Sequence, residues 1–338
     1  MNETLSRIRD YLEWTVLRLS WSYSRLVPSW AVDRTISFLS TLTCAFSTGM
    51  REQSLDKYAK LLMSEPGGMG TDKAISAERV SSVRVPSVFQ CECLTEKLVG
   101  SFLRNLLELD WIQRMVHEGP REFVTFDHLE RLDAALAAGR GAVLATVHLG
   151  NWELVGSALS LLGYPLRGVA WTARNRFIQK HLENLRSQTG LVTIFPDASA
   201  QIRIYRDLKA NRPIAFVLDL GQWENGVPVR FCGNDYLFPK GPLFFAQRTG
   251  AALIPSVSYR DETGRIHLLF EKPLDVPSQG ASSIETEKAM QTLATVLEGR
   301  VRQHPGQWLW VPAAKHQIAE MRRRDESMGA LEQSSENR

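Results

Sequence analysis

The sequence lacks the features that mark secreted, disulfide-bonded or nucleic-acid-binding proteins. Its 338 residues include four cysteines, and Cys91 and Cys93 are separated by a single residue, unlike the usual zinc or redox pair. We therefore expect free cysteines in a reducing compartment. The net charge of +3 is too small to indicate nucleic acid as a partner. The content of 44% hydrophobic and 23% charged residues is that of a folded globular protein.

Long apolar runs are also missing. Charged residues from Arg7 to Arg18 interrupt the N-terminus before a signal sequence could form, so we expect no cleavable signal. The uncharged stretch at residues 35–50 is shorter than the roughly 20 mostly apolar residues that a membrane span needs. The sequence therefore predicts no clear membrane crossing.

The first 60 residues are predicted to be helical, because apolar side chains recur at helical spacing with arginines between them. The apolar series is Leu5, Ile8, Leu12, Val16, Leu19 and Tyr23. Such a face either packs on a core or lies in a bilayer interface, with nearby tryptophans at headgroup level. The two interpretations are compatible, and both stay open.

From about residue 121 the pattern changes to strands that alternate with helices. Apolar runs typical of buried strands occupy residues 141–147, 191–195, 213–218, 251–259 and 266–270. Helices are predicted near residues 151–162, 175–189, 201–210, 241–249 and 284–303. This alternation favours an α/β fold, with a layered mixed sheet flanked by helices.

The chain is predicted to have three parts. Residues 1–120 form a helical region that associates with a membrane, and residues 121–312 form the α/β core. Residues 313–338 are charged and poor in apolar side chains, so we expect a disordered tail there.

A histidine followed five residues later by a carboxylate is a candidate catalytic pair, but this spacing occurs three times. The pairs are His117–Glu122, His128–Asp133 and His148–Glu153. The first lies in a charged connection and the second follows a helix cap, so both are interpreted as solvated polar residues. Spacing alone does not select the third pair, and its context has to decide.

His148 ends a predicted buried strand, and ligands bind at the carboxyl ends of strands in open α/β sheets. Asn151 can cap the helix that follows, which places Glu153 in its first turn. Glu153 could then reach one imidazole nitrogen and leave the other free to accept a proton from a substrate hydroxyl. The alternative is a buried pair that only links strand to helix.

Other catalytic motifs are absent from the sequence. There is no G-x-S-x-G nucleophile elbow, no phosphate-binding loop, no dinucleotide fingerprint and no H-E-x-x-H. The missing elbow favours direct attack by an acceptor hydroxyl over a route through an acyl-serine.

The segment His148-Leu-Gly-Asn-Trp-Glu153 resembles the signature of the lipid A biosynthesis acyltransferase family, within the lysophospholipid acyltransferase-like superfamily. The resemblance covers roughly residues 90–312. Further matching stretches are Arg186-Ser-Gln-Thr-Gly190, Leu218-Asp219, Gly226-Val-Pro-Val, Phe231-Cys-Gly233, Arg248-Thr-Gly-Ala251, Ile254-Pro255 and Pro305-Gly-Gln-Trp-Leu-Trp310. Trp308 and Trp310 in the last stretch are interpreted as core residues.

The resemblance implies an α/β core with an acyl-chain tunnel, docked on the cytoplasmic face of the bacterial inner membrane, peripherally or through its N-terminus. It implies an acyl thioester donor on acyl carrier protein or coenzyme A, and a membrane lipid as acceptor. It requires no metal or bound cofactor.

The resemblance also implies roles for single residues. His148 would be the base, Glu153 its orienting partner, and Arg186 the arginine that contacts the substrate or the developing oxyanion. Asp219 matches an acidic position that helps to shape the site. In many relatives glutamine follows that aspartate, whereas this chain has Leu220, which leaves the acceptor open.

Substrate binding is also expected at three further residues. Asn151 and the backbone amides beside it are candidates for binding the developing charge. Arg174 and Arg176 are candidates for attracting anionic headgroups or an acidic carrier protein; otherwise they belong to a solvated surface.

We therefore predict transfer of a fatty acyl group from a thioester to a hydroxyl of a membrane lipid, with a lipid A-type acceptor favoured. A phospholipid, ornithine lipid or glycolipid acceptor is the alternative. The rivals from other classes are an inactive lipid-binding homologue and an α/β hydrolase.

Overall fold

The computed structural model describes residues 3–64, 88–219 and 226–310. The tail predicted at residues 313–338 lies outside them. The helices are α1 (Glu3–Leu26), α2 (Ser29–Phe46), α3 (Thr48–Met63), α4 (Val88–Glu108), α5 (Trp111–Glu118), α6 (Leu129–Ala137), α7 (Trp152–Leu161), α8 (Arg176–Thr189), α9 (Ala200–Lys209), α10 (Gly241–Thr249) and α11 (Ser283–Gln303). The strands are β1 (Val124–Asp127), β2 (Ala142–Thr146), β3 (Arg167–Val169), β4 (Val192–Ile194), β5 (Pro213–Val217), β6 (Val227–Phe231), β7 (Asn234–Phe238), β8 (Ala252–Arg260) and β9 (Ile266–Phe270).

Seven of the described strands form one sheet, in the order β1-β9-β8-β2-β5-β3-β4. Neighbouring strands run parallel except β8 and β9, which are antiparallel. Strands β6 and β7 form a separate antiparallel pair. The predicted mixed sheet flanked by helices is confirmed. Strand β2 lies near the middle, between β8 and β5.

The apolar run of β2 is explained by burial on both faces of the sheet. Val143, Ala145 and Val147 belong to one hydrophobic core cluster. Ala142 and Leu144 belong to the cluster on the opposite face. Because side chains alternate between faces along a strand, a central strand covered by helices on both sides is apolar throughout.

Three strand regions are missing from the sequence prediction. Strand β3 has three residues, all half-buried, and β1 pairs only with β9 at one edge of the sheet. The β6–β7 pair includes Pro228 and lies outside the main sheet. Short or peripheral strands give weak apolar patterns, so the sequence shows only the longer buried runs.

The N-terminal helix α1 packs on the core with the face opposite to the predicted apolar series. Leu17 and Trp21 are buried, and the indole nitrogen of Trp21 donates a hydrogen bond to the carbonyl oxygen of Leu106 at 2.8 Å. The exposed members of the series are Ile8, Leu12, Val16, Leu19 and Tyr23. None of the described helices combines the length and the apolar character needed to cross a bilayer.

Candidate active site

His148 follows β2 and is held by a carboxylate. Its side chain is almost fully buried, and its Nδ1 lies 2.7 Å from Oδ1 of Asp219. The backbone amide of His148 also donates to both carboxylate oxygens of Asp219, at 3.1 Å each. Among the described residues, Nε2 has no hydrogen-bond partner. The ring is therefore fixed through Nδ1, with Nε2 left for other chemistry.

The sheet brings these two residues together. Strands β2 and β5 are parallel neighbours, and Thr146 pairs with Val217 at their carboxyl ends. The amide of Leu218 continues the pairing, with a hydrogen bond of 2.9 Å to the carbonyl oxygen of Thr146. His148 and Asp219 each follow two residues after this last pair, so they meet at the same edge of the sheet.

A buried tryptophan completes the surroundings of Asp219. The Nε1 of Trp308 donates to Oδ2 of Asp219 at 2.8 Å. Trp308 is fully buried, as expected of a core residue, but it also contacts the acidic partner of His148. Trp152 lies on another side of His148, with the two rings edge-to-face at a centroid distance of 4.7 Å.

The turn after His148 depends on a glycine. Gly150 has a φ of 62°, and a β-carbon there would lie 2.5 Å from the carbonyl oxygen of Ser258. Only glycine fits this close approach. Asn151 then caps α7 as predicted, because its side chain accepts a hydrogen bond from the amide of Leu154 at 3.1 Å.

The side-chain nitrogen of Asn151 is held by a buried glutamate that is not among the residues predicted from the sequence. Asn151 Nδ2 donates to Oε2 of Glu108 at 2.9 Å, and Arg260 pairs with the other oxygen of Glu108. Burial raises the pKa of Glu108, although Arg260 and Asn151 oppose that rise. The available signal was a carboxylate within the apolar run Leu106–Leu109. That Asn151 binds substrate stays a prediction.

In this structure no hydrogen bond joins Glu153 to the ring of His148, which is held by Asp219 instead, and this corrects the expected arrangement. Its two oxygens accept hydrogen bonds from Nε and Nη2 of Arg186, at 2.6 and 2.8 Å. Glu153 lies in the first turn of α7, which packs against α8, the helix that carries Arg186. The carboxylate that holds His148 comes instead from the neighbouring strand.

Arg186 is bound on several sides. Besides its two bonds to Glu153, its Nη1 donates to the hydroxyl of Thr193 at 3.0 Å. Burial lowers the pKa of Arg186, but the hydrogen bonds and charge of Glu153 outweigh this and leave it above its ordinary value. The pair thus ties α7 to α8 and β4, and Arg186 is fully charged there.

Arg174 and Arg176 make other contacts. Arg174 is more than half exposed and pairs with Glu13 of α1 at 2.7 Å. The guanidinium of Arg176 lies over the ring of Phe177 at 4.7 Å. In the described part of the chain, neither forms a hydrogen bond, ion pair or ring contact with His148 or Asp219. Their role in substrate binding stays a prediction, and Leu220 and the residues after it up to 225 lie outside the described residues.

Comparison with known proteins gives a consistent result. The model of the family described as bacterial lipid A biosynthesis acyltransferase matches residues 90–313. Phosphatidylinositol mannoside acyltransferase of Mycobacterium tuberculosis is 27% identical over 235 residues, which cover 68% of this chain and 71% of that protein. The protein of the same name from Mycolicibacterium smegmatis is 27% identical over 214 residues, covering 62% and 68% of the two chains. The chain therefore belongs to the bacterial lipid A biosynthesis acyltransferase family.

Proposed function

We propose that this protein transfers a fatty acyl group from a thioester to a sugar hydroxyl of a membrane glycolipid. The observation that carries the proposal is the buried contact of 2.7 Å between His148 Nδ1 and Asp219, which leaves Nε2 without a partner among the described residues. A base fixed on one nitrogen and unengaged on the other is the arrangement that proton abstraction from an alcohol needs.

The reaction follows from this geometry. His148 Nε2 accepts the proton of the acceptor hydroxyl while that oxygen attacks the carbonyl carbon of the thioester. The tetrahedral intermediate collapses as the carbon–sulfur bond breaks, and the thiolate takes the proton back from the imidazolium. Asp219 keeps the Nδ1 proton in place and stabilises the transient positive charge on the ring.

The oxyanion of the intermediate needs hydrogen-bond donors. The amide of Gly150, a candidate from the sequence, already donates to the carbonyl oxygen of Gln307 at 3.2 Å. The amides of Trp152 and Glu153 at the start of α7 donate to no acceptor within the described ranges. We assign oxyanion binding to this end of α7, where the helix dipole favours negative charge.

Glu153 and Arg186 act mainly as positioning residues in this scheme. Their pairing fixes the start of α7, and with it the two amides, against α8 and β4. A direct contact of Arg186 with the substrate would require one of its remaining N–H groups, since its contacts to Glu153 and Thr193 use three nitrogens.

A glycolipid acceptor is supported by the relatives, which are named as phosphatidylinositol mannoside acyltransferases, and by the family description, which names lipid A. Lipid A precursors and phosphatidylinositol mannosides are both membrane lipids that carry sugars. The proposal therefore rests on the chemistry that these acceptors share and keeps a lipid A-type acceptor as one of two candidates.

The N-terminal helices give the proposed route to the membrane. Large apolar side chains are exposed on α1 and α2, and we call this set the apolar row; exposed apolar surface of this kind marks a contact with a membrane or another molecule. It comprises Tyr11, Leu12, Val16, Leu19, Leu26, Trp30, Phe38 and Phe46. We propose that this row lies in the bilayer interface on the cytoplasmic face of the inner membrane, where acyl carrier protein and coenzyme A thioesters are available.

The test measures thiol release from palmitoyl-coenzyme A and palmitoyl-acyl carrier protein in three kinds of vesicle. One contains phosphatidylglycerol alone, one adds phosphatidylinositol mannoside, and one adds a lipid A precursor. Thiol release that requires a glycolipid, with an acylated glycolipid found by mass spectrometry, is expected. Equal release in all three vesicles would indicate a thioesterase and contradict the proposal.

A further inference from the structure

The segment Gln307–Leu309, which we call the C-terminal strap, is hydrogen-bonded to residues 148–150, which we call the catalytic turn. The amide of Gly150 donates to the carbonyl oxygen of Gln307 at 3.2 Å, and the amide of Leu309 donates to the carbonyl oxygen of His148 at 2.8 Å. Between them, Leu149 and Trp308 form an antiparallel bridge. The strap therefore fixes the backbone on both sides of Leu149, directly after His148.

The strap is itself anchored to the neighbouring strand. The side chain of Gln307 accepts a hydrogen bond from the amide of Arg260 and donates one to its carbonyl oxygen, both at 2.7 Å. Because Arg260 ends β8, the catalytic turn, the strap and the central sheet form one connected unit.

Trp308 adds a side-chain contact that packing alone does not require. It is fully buried, packs edge-to-face on Phe231 at 5.7 Å, and directs its N–H to Oδ2 of Asp219 at 2.8 Å. The other oxygen of the same carboxylate holds Nδ1 of His148. An apolar side chain of similar size would fill this space without the hydrogen bond.

We propose that Trp308 is a positioning residue for acyl transfer, which sets both the orientation and the charge distribution of Asp219. This inference rests on the proposed role of His148 as the base. The indole N–H holds the carboxylate in the plane that meets Nδ1, and it takes up part of the negative charge on Oδ2. Without that donor, more of the charge acts on the imidazole, and the carboxylate is less well fixed.

Trp310 offers a matched control on the same segment. It is also buried, and its ring packs edge-to-face on Tyr58 at a centroid distance of 6.4 Å rather than on His148 or Asp219. The same change at Trp308 and at Trp310 removes one indole N–H from one buried ring in each case.

The experiment replaces each tryptophan separately with 3-benzothienylalanine, which keeps the bicyclic shape and substitutes sulfur for the N–H. Titration of the His148 ring is followed by nuclear magnetic resonance in histidine-labelled protein, which needs no substrate. Turnover is followed with palmitoyl-coenzyme A and phosphatidylinositol mannoside vesicles. Circular dichroism and unfolding in urea report on the fold, and Trp308→Phe provides a genetically encoded second variant.

The Trp308 analogue is expected to move the midpoint of the His148 titration, and the acid limb of the pH–rate profile, upward by about half a pH unit or more. Turnover should fall roughly tenfold, while KM for the donor changes less than about twofold, because a hydrogen bond to a charged group is lost without loss of a donor-binding contact. The Trp310 analogue should show neither change.

A Trp308 analogue with the titration, pH profile and turnover of the Trp310 analogue would overturn the inference and leave Trp308 a core residue. The proposed function fails separately, if His148→Asn retains wild-type turnover in the same assay. The two failures are therefore distinguishable.

Discussion

His148 and Asp219 are 71 positions apart in the chain, yet each is the second residue after the paired ends of adjacent parallel strands. Their contact is a consequence of strand order. Because β2 and β5 are held in register along five residue pairs, the carboxylate has little freedom to move away from the imidazole. The site is thus built on two paired strands inside the main sheet rather than on a long loop, as a precise catalytic arrangement requires.

The first prediction separates the two carboxylates near the site. Asp219→Asn should lower kcat by roughly 10²- to 10⁴-fold, because an amide no longer enforces the Nδ1–H tautomer of His148. Glu153→Gln should lower the free energy of unfolding by about 3 kcal/mol, because it breaks a largely buried pair with Arg186, and should affect kcat of the folded protein less. Steady-state kinetics and urea unfolding measure both. The reverse ranking in kcat would restore Glu153 as the orienting residue.

The second prediction concerns the turn at Gly150. Gly150→Ala should abolish most activity and destabilise the fold, since the new methyl group would meet the backbone of Ser258. Gly139→Ala is the control: Gly139 also has a positive φ, of 72°, but no atom lies within 4 Å of an added β-carbon. Both variants carry the roughly 1–2 kcal/mol cost of a left-handed conformation, so any excess at Gly150 measures the close approach. Equal losses in urea unfolding would show that the turn can adjust.

The sequence predicts more of this site than the five-residue spacing between His148 and Glu153 alone would. The strand before His148, the cap at Asn151 and the strand before Asp219 are all present, because buried runs and capping side chains are local signals. The order of strands in a sheet is not local, and no pattern in the sequence shows that β5 lies next to β2. The expected partner was therefore the nearer carboxylate, Glu153.

The environment of Trp308 could not be predicted for a related reason. A tryptophan near the end of the chain, after a predicted helix, has the pattern of any core residue. Its hydrogen bond to Asp219 requires the C-terminal strap, the catalytic turn and the segment after β5 to meet. Hydrophobic periodicity does not show such long-range contacts. Glu108 is different, since a charged residue within the apolar run Leu106–Leu109 was a visible local anomaly.

The third prediction concerns pH and the attachment of α1. The ring of His181 packs against those of Trp14 and Trp21, at centroid distances of 5.0 and 4.6 Å. Burial lowers the pKa of His181 below the ordinary value of 6.5; Asp110 opposes the shift and Arg18 adds to it. The unfolded chain then binds more protons than the folded one, so stability is present above about pH 6.5 and decreases as the pH falls through that value.

This pH dependence is measured by urea unfolding at about pH 7.5 and about pH 5.5. The decrease in the free energy of unfolding between the two should be smaller in His181→Gln than in the wild type. An identical decrease in both proteins would show that His181 does not contribute.

The fourth prediction addresses the proposed membrane surface. Val16 is 67% exposed on the apolar row of α1, and Val16→Asp should lower the fraction of protein that sediments with vesicles severalfold, because a charge enters the bilayer interface poorly. Thr292→Asp, at an exposed position of α11, is the control, with the same charge added elsewhere. If both variants bind vesicles equally well, α1 is not the docking surface.

In the proposed mechanism, His148 removes the proton of the acceptor hydroxyl. The most direct test compares His148 with His128, a second histidine that has a carboxylate five residues later. His148→Asn and His128→Asn are each assayed with palmitoyl-coenzyme A and phosphatidylinositol mannoside vesicles, with folding checked by circular dichroism. His128 is exposed and pairs only with Glu130 in the described part of the chain. We expect His148→Asn to lose roughly 10²- to 10⁴-fold in acceptor-dependent thiol release, and His128→Asn to keep it. Wild-type release by a folded His148→Asn protein would contradict the account.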